Sequence, residues 1–180
     1  MKRIIYIGAD SAGFSLKKEV ISHLENLGYE VKDFGTDSEA SCHYPEFAGA
    51  VCRAVQGNLE GSFGILICGT GIGMSMCANK HTGIRAALCS DTYSAKMTRC
   101  HNDANVLCMG ARVIGSCLAL DIVDSFLSSE FEGGRHERRV NMIMEIEATQ
   151  HLAAAAAQDD GGVQRVLDGV FVRLGSLGCT

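Results

Sequence analysis

The feature of this 180-residue chain that points most directly to chemistry is a cysteine followed by a glycine-rich turn, Cys68-Gly69-Thr70-Gly71-Ile72-Gly73. Glycines let the backbone approach a ligand closely, and their N–H groups can form an anion-binding nest. The positive end of a following helix would favour a thiolate at Cys68. The turn lacks the Gly-Lys-Ser/Thr ending of a P-loop, and it is not a dinucleotide fingerprint. It indicates either an anion-binding nest beside a reactive cysteine or a tight turn with a packed cysteine.

A pair of arginines is a second candidate. Arg135 and Arg139 are four residues apart, so a helix would place both on one face. Two guanidinium groups on one face suit a phosphate dianion. The alternative is a solvated basic face, which a charge run by itself favours.

Two further polar positions could take part in chemistry. His101 precedes Asn102 near a predicted helix end and could be an acid/base, although a structural turn explains it equally well. Asp10 ends the first predicted strand and could bind sugar hydroxyls, or it or Ser11 could cap a helix. No metal site is predicted, because four further histidines show no ligand spacing to one another: His23, His43, His81 and His151.

The composition excludes several classes of protein. The formal net charge is −5, which argues against a general nucleic-acid binder. No apolar run approaches the roughly 18 residues of a membrane helix, and the first apolar run is too short for a signal peptide. The nine cysteines include no C-x-x-C pair. We expect a cytoplasmic protein in which about eight of the cysteines are small core residues in a reducing compartment.

Strand and helix patterns alternate along the chain. Apolar runs predict five strands, over residues 3–9, 29–34, 64–68, 84–88 and 105–109. Helical spacing predicts helices over residues 14–27, from 44, and over 74–79, 91–100, 117–127 and 135–152. This alternation is typical of an α/β fold, here a single doubly wound, Rossmann-like domain with a five-stranded parallel sheet flanked by helices. The functional residues are expected in the loops at the carboxyl edge of the sheet, 10–13, 69–73, 90–91 and 110–112.

The end of the chain has a different composition. Five alanines, Ala153 to Ala157, are followed closely by the pair Gly161-Gly162. We therefore predict a domain over residues 1–150 and a low-complexity extension over 151–180, either a docked helix or a mobile tail.

Taken together, these segments resemble one family, ribose-5-phosphate isomerase B, within the group that also holds the galactose-6-phosphate isomerase subunits. The resemblance extends over residues 3–148. Its matching segments are Gly8-Ala9-Asp10, Ala12-Gly13-Phe14, Leu16-Lys17, Tyr44-Pro45, the stretch from Ile67 to Ser75, Ala78-Asn79-Lys80, Gly83 to Ala87, His101 to Asn105, Gly110 with Arg112, and Gly133 to His136 with Arg139.

The resemblance implies an enzyme that interconverts ribose 5-phosphate and ribulose 5-phosphate through an enediolate, in the pentose phosphate pathway. It implies that Cys68 is the base, that Thr70 assists proton movement between oxygens, and that His101 opens the furanose ring. It implies no metal and no organic cofactor. The substrate-binding residues that it implies are Asp10, Ser11, Tyr44, Gly69, Gly71, Ile72, Gly73, Asn102, Arg112, Arg135 and Arg139.

The resemblance also implies a homodimer with a shared active site, the cysteine from one chain and the histidine from the other, with a dimer of dimers as a further option. Two residues depart from the family pattern: Ser11 stands where histidine is common, and His43 where aspartate is common. Ser11 keeps two alternatives open. One is an isomerase of allose 6-phosphate or galactose 6-phosphate, and the other is a sugar-phosphate-binding protein without turnover.

Overall fold

A computed structural model describes residues 2–157, which contain one five-stranded sheet. Every neighbouring pair of strands is parallel, and the order across the sheet is β2-β1-β3-β5-β4. The predicted α/β fold with a five-stranded parallel sheet is therefore confirmed. The strands are β1 (Ile4–Ala9), β2 (Val31–Asp33), β3 (Ser62–Cys68), β4 (Ala86–Leu88) and β5 (Val106–Gly110).

Helices connect the strands and cover the sheet. Parallel neighbours need crossover connections, and amphipathic helices supply them here. The helices are α1 (Phe14–Asn26), α2 (Tyr44–Gln56), α3 (Ile72–Ala78), α4 (Thr92–Asn102), α5 (Ser116–Leu127) and α6 (Arg135–Ala157).

The core has two layers, one on each face of the sheet. On one face the apolar side chains of α1 and α5, such as Leu24 and Phe126, pack against Ile5 and Ile65. On the other face α2 and α3 pack against the sheet, with Val51 and Met74 fully buried. All seven residues of β3 are buried, as expected for a central strand covered on both sides.

The strand order decides where a ligand can reach the sheet. From β1 the chain crosses to β2 on one side, whereas from β3 it continues to the β4 and β5 side. The loops after β1 and β3 therefore diverge and open a crevice at the carboxyl edge, which is the usual ligand site of such sheets.

The structure differs from the predicted elements in two places. Strands β2 and β4 have three residues each, shorter than predicted, because both lie at sheet edges and pair with one neighbour only. Helix α6 continues beyond the predicted end at Leu152 to Ala157, since alanine has the highest helix propensity. The alanine run is thus helical up to that residue.

The chain divides between Glu137 and Arg138 into two compact units. The first contains the sheet and α1 to α5, and the second contains most of α6. The predicted extension over 151–180 lies outside the described residues from position 158 onward. Within residues 2–157, no helix combines the length and the apolarity needed to cross a membrane.

Candidate active site

Cys68 is the last residue of β3, and its side chain is held by the loop that follows. The thiol sulfur accepts a hydrogen bond from the N–H of Gly71 at 3.1 Å. Gly71 has φ 76°, and a Cβ there would come within 2.4 Å of Leu88 Cδ1 and 2.8 Å of the Met109 carbonyl carbon. Only glycine fits this position, so the glycine places a backbone donor against the sulfur.

The loop after β5 is hydrogen-bonded to the start of the glycine-rich turn. The N–H of Ala111 donates to the carbonyl of Cys68 at 2.9 Å, and that of Arg112 donates to Gly69 at 3.0 Å. A Cβ on Gly110 would lie 2.6 Å from the Thr70 carbonyl carbon. The two loops therefore pack backbone against backbone, which leaves Thr70 exposed at the edge.

Side chains from three other segments surround the turn. The aromatic ring of Tyr44, the first residue of α2, lies against Gly73, where a Cβ would meet Tyr44 Cζ at 2.8 Å. A Cβ on Gly69 would lie 3.5 Å from Nη1 of Arg112 and 3.7 Å from Cβ of Ala12. A hydroxyl, a guanidinium and the turn thus share one crevice at the carboxyl edge.

Asp10 holds the turn before α1, although neither it nor Ser11 is the helix N-cap that the sequence allowed. Its Oδ1 accepts hydrogen bonds from the N–H groups of Ala12 at 3.0 Å and Gly13 at 3.1 Å, so it stabilises the turn before α1. Gly13 is the N-cap of α1 and makes no side-chain cap bond. The N–H of Ser11 donates to the sulfur of Cys42 at 3.2 Å.

His101 and Asn102 lie at the opposite edge of the sheet. Helix α4 follows β4 and returns to the amino edge before β5 begins, and both residues are at its C-terminal end. Arg85, just before β4, donates from Nε to the carbonyl of Asn102 at 3.2 Å. The prediction that candidate residues gather in the carboxyl-edge loops is correct for Cys68 and its surroundings and wrong for these two.

Arg135 accompanies His101 rather than Cys68. The N–H of Glu132 donates to the carbonyl of Cys100 at 3.0 Å, which ties the segment before α6 to the end of α4. Arg135 begins α6, and Arg139 lies one turn later on the same helix, in the second unit. The structure therefore separates the predicted residues of the first unit into two groups.

The group around His101 includes two residues that the sequence did not predict. The ring of His101 stacks on that of His136, with centroids 4.1 Å apart and planes 2° from parallel. Glu132 Oε2 lies 3.8 Å from Nε2 of His101 and 3.9 Å from Nε2 of His136. The neighbouring Arg135-His136 pair and the i, i+4 spacing of Glu132 and His136 are the only sequence signals that could have found them.

The donor atoms of these three residues lie within 4.8 Å of one another, close enough to raise the question of a metal ion. The imidazole lone pairs lie in the ring planes, and two parallel planes do not meet. The two histidines therefore cannot both direct a lone pair at the same ion while they are stacked. In this arrangement the three residues do not fit a metal ion.

Cys68 is buried, as are Cys52, Cys89 and Cys108. Burial raises the pKa of Cys52 to about 12 and that of Cys89 to about 11, and it raises the pKa of Cys108 strongly. These thiols are protonated at neutral pH and behave as core residues. The prediction of about eight core cysteines is wrong for Cys117, which is exposed on α5, and for Cys42 and Cys77, which are only partly buried. Cys179 lies outside the described residues.

Comparisons with known proteins agree with these features. The family described as Ribose/Galactose Isomerase matches residues 5–143. Ribose-5-phosphate isomerase B of Escherichia coli (strain K12) is 52% identical over 147 residues, which cover 82% of this chain and 97% of that protein. The resemblance seen in the sequence is thereby confirmed.

Two solved structures extend the agreement to three dimensions. Clostridium thermocellum ribose-5-phosphate isomerase B superposes with a TM-score of 0.79 at 52% identity, covering 83% of this chain and 99% of the other. The Mycoplasma genitalium ribose-5-phosphate isomerase B with bound ribulose-5-phosphate gives a TM-score of 0.80 at 42% identity, covering 82% and 98%. On this sequence and structural similarity, the chain belongs to the Ribose/Galactose Isomerase family.

Proposed function

We propose that this chain is an aldose–ketose isomerase that interconverts ribose 5-phosphate and ribulose 5-phosphate through an enediolate, as a cytoplasmic step of the pentose phosphate pathway. The observation that carries the proposal is the thiol of Cys68, held at 3.1 Å by the Gly71 N–H in a glycine turn beside Tyr44 and Arg112. The 52% identical relative from Escherichia coli has the same named activity.

In this mechanism Cys68 moves the proton between the two carbons. As a thiolate it takes the proton from C2 of the open-chain aldose, and the electron pair moves toward O1 to give the enediolate. Returning the proton to C1 gives the ketose. Backbone N–H groups of residues 69–73 stabilise the negative oxygens, and the exposed hydroxyl of Thr70 passes a proton between O1 and O2.

The remaining residues bind the substrate. The Oδ1 of Asp10 is engaged by two backbone N–H groups, which leaves Oδ2 to accept from a sugar hydroxyl. Tyr44 lies beside the same turn and binds the sugar, and Asn102 binds it from the side of His101. The guanidinium groups that hold the phosphate are Arg112, from the chain that supplies Cys68, and Arg135 and Arg139, from the chain that supplies His101.

One chain does not bring Cys68 and His101 to the same sugar. They lie at opposite edges of a sheet whose central strand has seven residues, so at about 3.3 Å per residue the edges are roughly 20 Å apart. This separation exceeds the length of a pentose phosphate. We therefore propose a homodimer in which Cys68 of one chain meets His101 of its partner, giving two shared sites.

A coupled assay for ribulose 5-phosphate formation from ribose 5-phosphate tests the proposal directly. Ser11 is the observation that favours the alternative of a six-carbon substrate, so allose 6-phosphate and galactose 6-phosphate belong in the same assay. Higher kcat/KM for either hexose phosphate would replace the pentose assignment. Binding of ribose 5-phosphate with no turnover of any of the three sugars would identify a binding protein instead.

A further inference from the structure

The ring of His136 stacks on that of His101, the residue to which opening of the sugar ring is assigned. His136 is 7% exposed, whereas the side chain of His101 is 36% exposed. We infer that His136 is a positioning residue that links the phosphate-binding Arg135 to His101 and fixes the orientation of both. The inference rests on the proposed isomerase function.

The first observation is the stack itself. Two rings with centroids 4.1 Å apart and planes 2° from parallel leave His101 no freedom to rotate on the side of His136. The position of His136 is fixed in turn, because its backbone N–H donates to the carbonyl of Gly133 at 3.1 Å at the start of α6. His101 thus has one face held by His136 and one edge exposed. An acid/base held in this way presents its nitrogen to each substrate molecule in the same geometry.

The second observation is the hydrogen bond to Arg135. Its Nε donates to Nε2 of His136 at 3.3 Å. An accepting nitrogen carries a lone pair, so the proton of His136 lies on Nδ1 and the ring is neutral. A neutral ring can stack on His101 without charge repulsion. The same bond orients the Arg135 guanidinium through Nε and leaves its terminal amino groups to bind the phosphate.

The third observation is the position of Glu132. Its Oε2 is 3.8 Å from Nε2 of His101 and 3.9 Å from Nε2 of His136. The carboxylate therefore lies beside the Nε2 edges of both stacked rings and helps to hold the two histidines in register.

These contacts give His136 two separable jobs, and two variants separate them. His136→Phe keeps a flat ring but loses the acceptor for Arg135, so we expect KM for ribose 5-phosphate to rise about tenfold with kcat within about threefold of wild type. His136→Gln keeps an acceptor near the position of Nε2 but loses the ring. It should lower kcat about tenfold or more in the ribose-consuming direction, with KM little changed.

The ribulose-consuming direction supplies an internal comparison, because ribulose 5-phosphate cannot close into a furanose. His136→Gln should lose clearly less kcat with that substrate at matched saturation. The substitution His23→Phe, on α1, where His23 pairs with Asp124 of α5, is the matched control and should leave both directions unchanged. Wild-type kinetics in both His136 variants, or equal losses in both directions for both variants, would overturn the inference.

A readout without turnover distinguishes failure of this inference from failure of the proposed function. Nitrogen-15 NMR of the histidine rings should show His136 of the wild-type protein with its proton on Nδ1, and Arg135→Met should abolish that preference. A proton on Nε2 of His136 in the wild type would contradict the inference even in an active enzyme. An inactive wild type with the expected Nδ1 signal would instead overturn the isomerase proposal.

Discussion

At the scale of single residues, the cysteines differ in what surrounds each sulfur atom. Cys68 lies at a strand end where a backbone N–H donates to its sulfur at 3.1 Å. Cys52 and Cys108 are fully buried among the apolar side chains beneath α2 and α3. Cys68 is also buried and belongs to the same apolar cluster, so the backbone donor is what distinguishes its sulfur from those of Cys52 and Cys108. One of these positions suits chemistry and the others suit packing.

Cys68→Ala should abolish isomerisation while substrate binding persists. The substitution removes the base but leaves the glycine turn and Arg112 in place, so kcat should fall at least about a hundredfold. Initial rates and direct binding of ribose 5-phosphate measure the two effects separately. Cys117→Ala, at an exposed thiol on α5, is the control and should behave as wild type. A kcat near the wild-type value for Cys68→Ala would exclude this residue as the base.

The buried thiols should make the protein less stable at alkaline pH. In the folded state burial raises the pKa of Cys52 from 9.0 to about 12 and that of Cys89 from 9.0 to about 11. Their stabilising contribution is therefore complete below pH 9 and is lost as the pH rises toward 11–12, at up to about 1.4 kcal/mol per pH unit for each thiol. Urea unfolding of wild type and Cys52→Ala from pH 8 to 11 checks this. The wild type should lose more stability over that range, and parallel pH profiles would contradict the assignment.

At the scale of elements, the end of α4 is held by one carboxylate. Asp103 has φ 47° and accepts from Nη2 of Arg85 and Nη1 of Arg99, each at 2.7 Å. Arg99 is 3% exposed and also donates to the carbonyl of Ala104 at 2.7 Å. These bonds join the end of α4 to the segment before β4, and they determine where His101 and Asn102 lie.

Asp103→Ala should lower the free energy of unfolding by about 3 kcal/mol. The substitution leaves the buried Arg99 guanidinium without its carboxylate and places alanine at a positive φ. Asp103→Asn should lose less, because asparagine tolerates that conformation and can still accept hydrogen bonds. Urea unfolding measures both, with Asp121→Ala on the surface of α5 as the control. Equal stability of Asp103→Ala and wild type would show that Arg99 finds another partner.

At the scale of the whole molecule, the position of His101 at the edge opposite Cys68 predicts complementation between inactive variants. Cys68→Ala and His101→Ala should each have little activity with ribose 5-phosphate. After unfolding and refolding together, half of the dimers should be mixed, and each mixed dimer should contain one intact site, so about a quarter of wild-type activity returns. Each variant refolded alone is the control. No recovery in the mixture would contradict a shared site.

Removal of the chain after residue 150 should leave a folded, active protein. The family match ends at residue 143, and the Escherichia coli relative is covered over 97% of its length by 82% of this chain. The family fold therefore does not need the last residues. Size-exclusion chromatography and the isomerase assay on the truncated chain measure the result. Loss of solubility or of activity would show that residues beyond 150 contribute to the fold or the assembly.

The sequence by itself determined the features that depend on near neighbours along the chain. The alternation of apolar runs and helical spacing predicted five strands in a parallel α/β sheet, and the structure has them. The turn after Cys68 was recognisable because its three glycines directly follow the end of a buried strand in the sequence. Element ends were less predictable: β2 and β4 are short because each is an edge strand, which depends on strand order rather than on composition.

Only the tertiary structure decided how distant segments meet. The order β3-β5-β4 and the return of α4 put His101 at the edge away from Cys68, and no local pattern indicates this. The stack of His101 on His136 joins residues from two segments through ring geometry. The hydrogen bonds of Asp10 to Ala12 and Gly13 show that it holds the turn before α1 without being the N-cap of that helix. The physical reason is common to all three: local periodicity reports which face of an element is buried, whereas side-chain distances arise only when the elements are packed together.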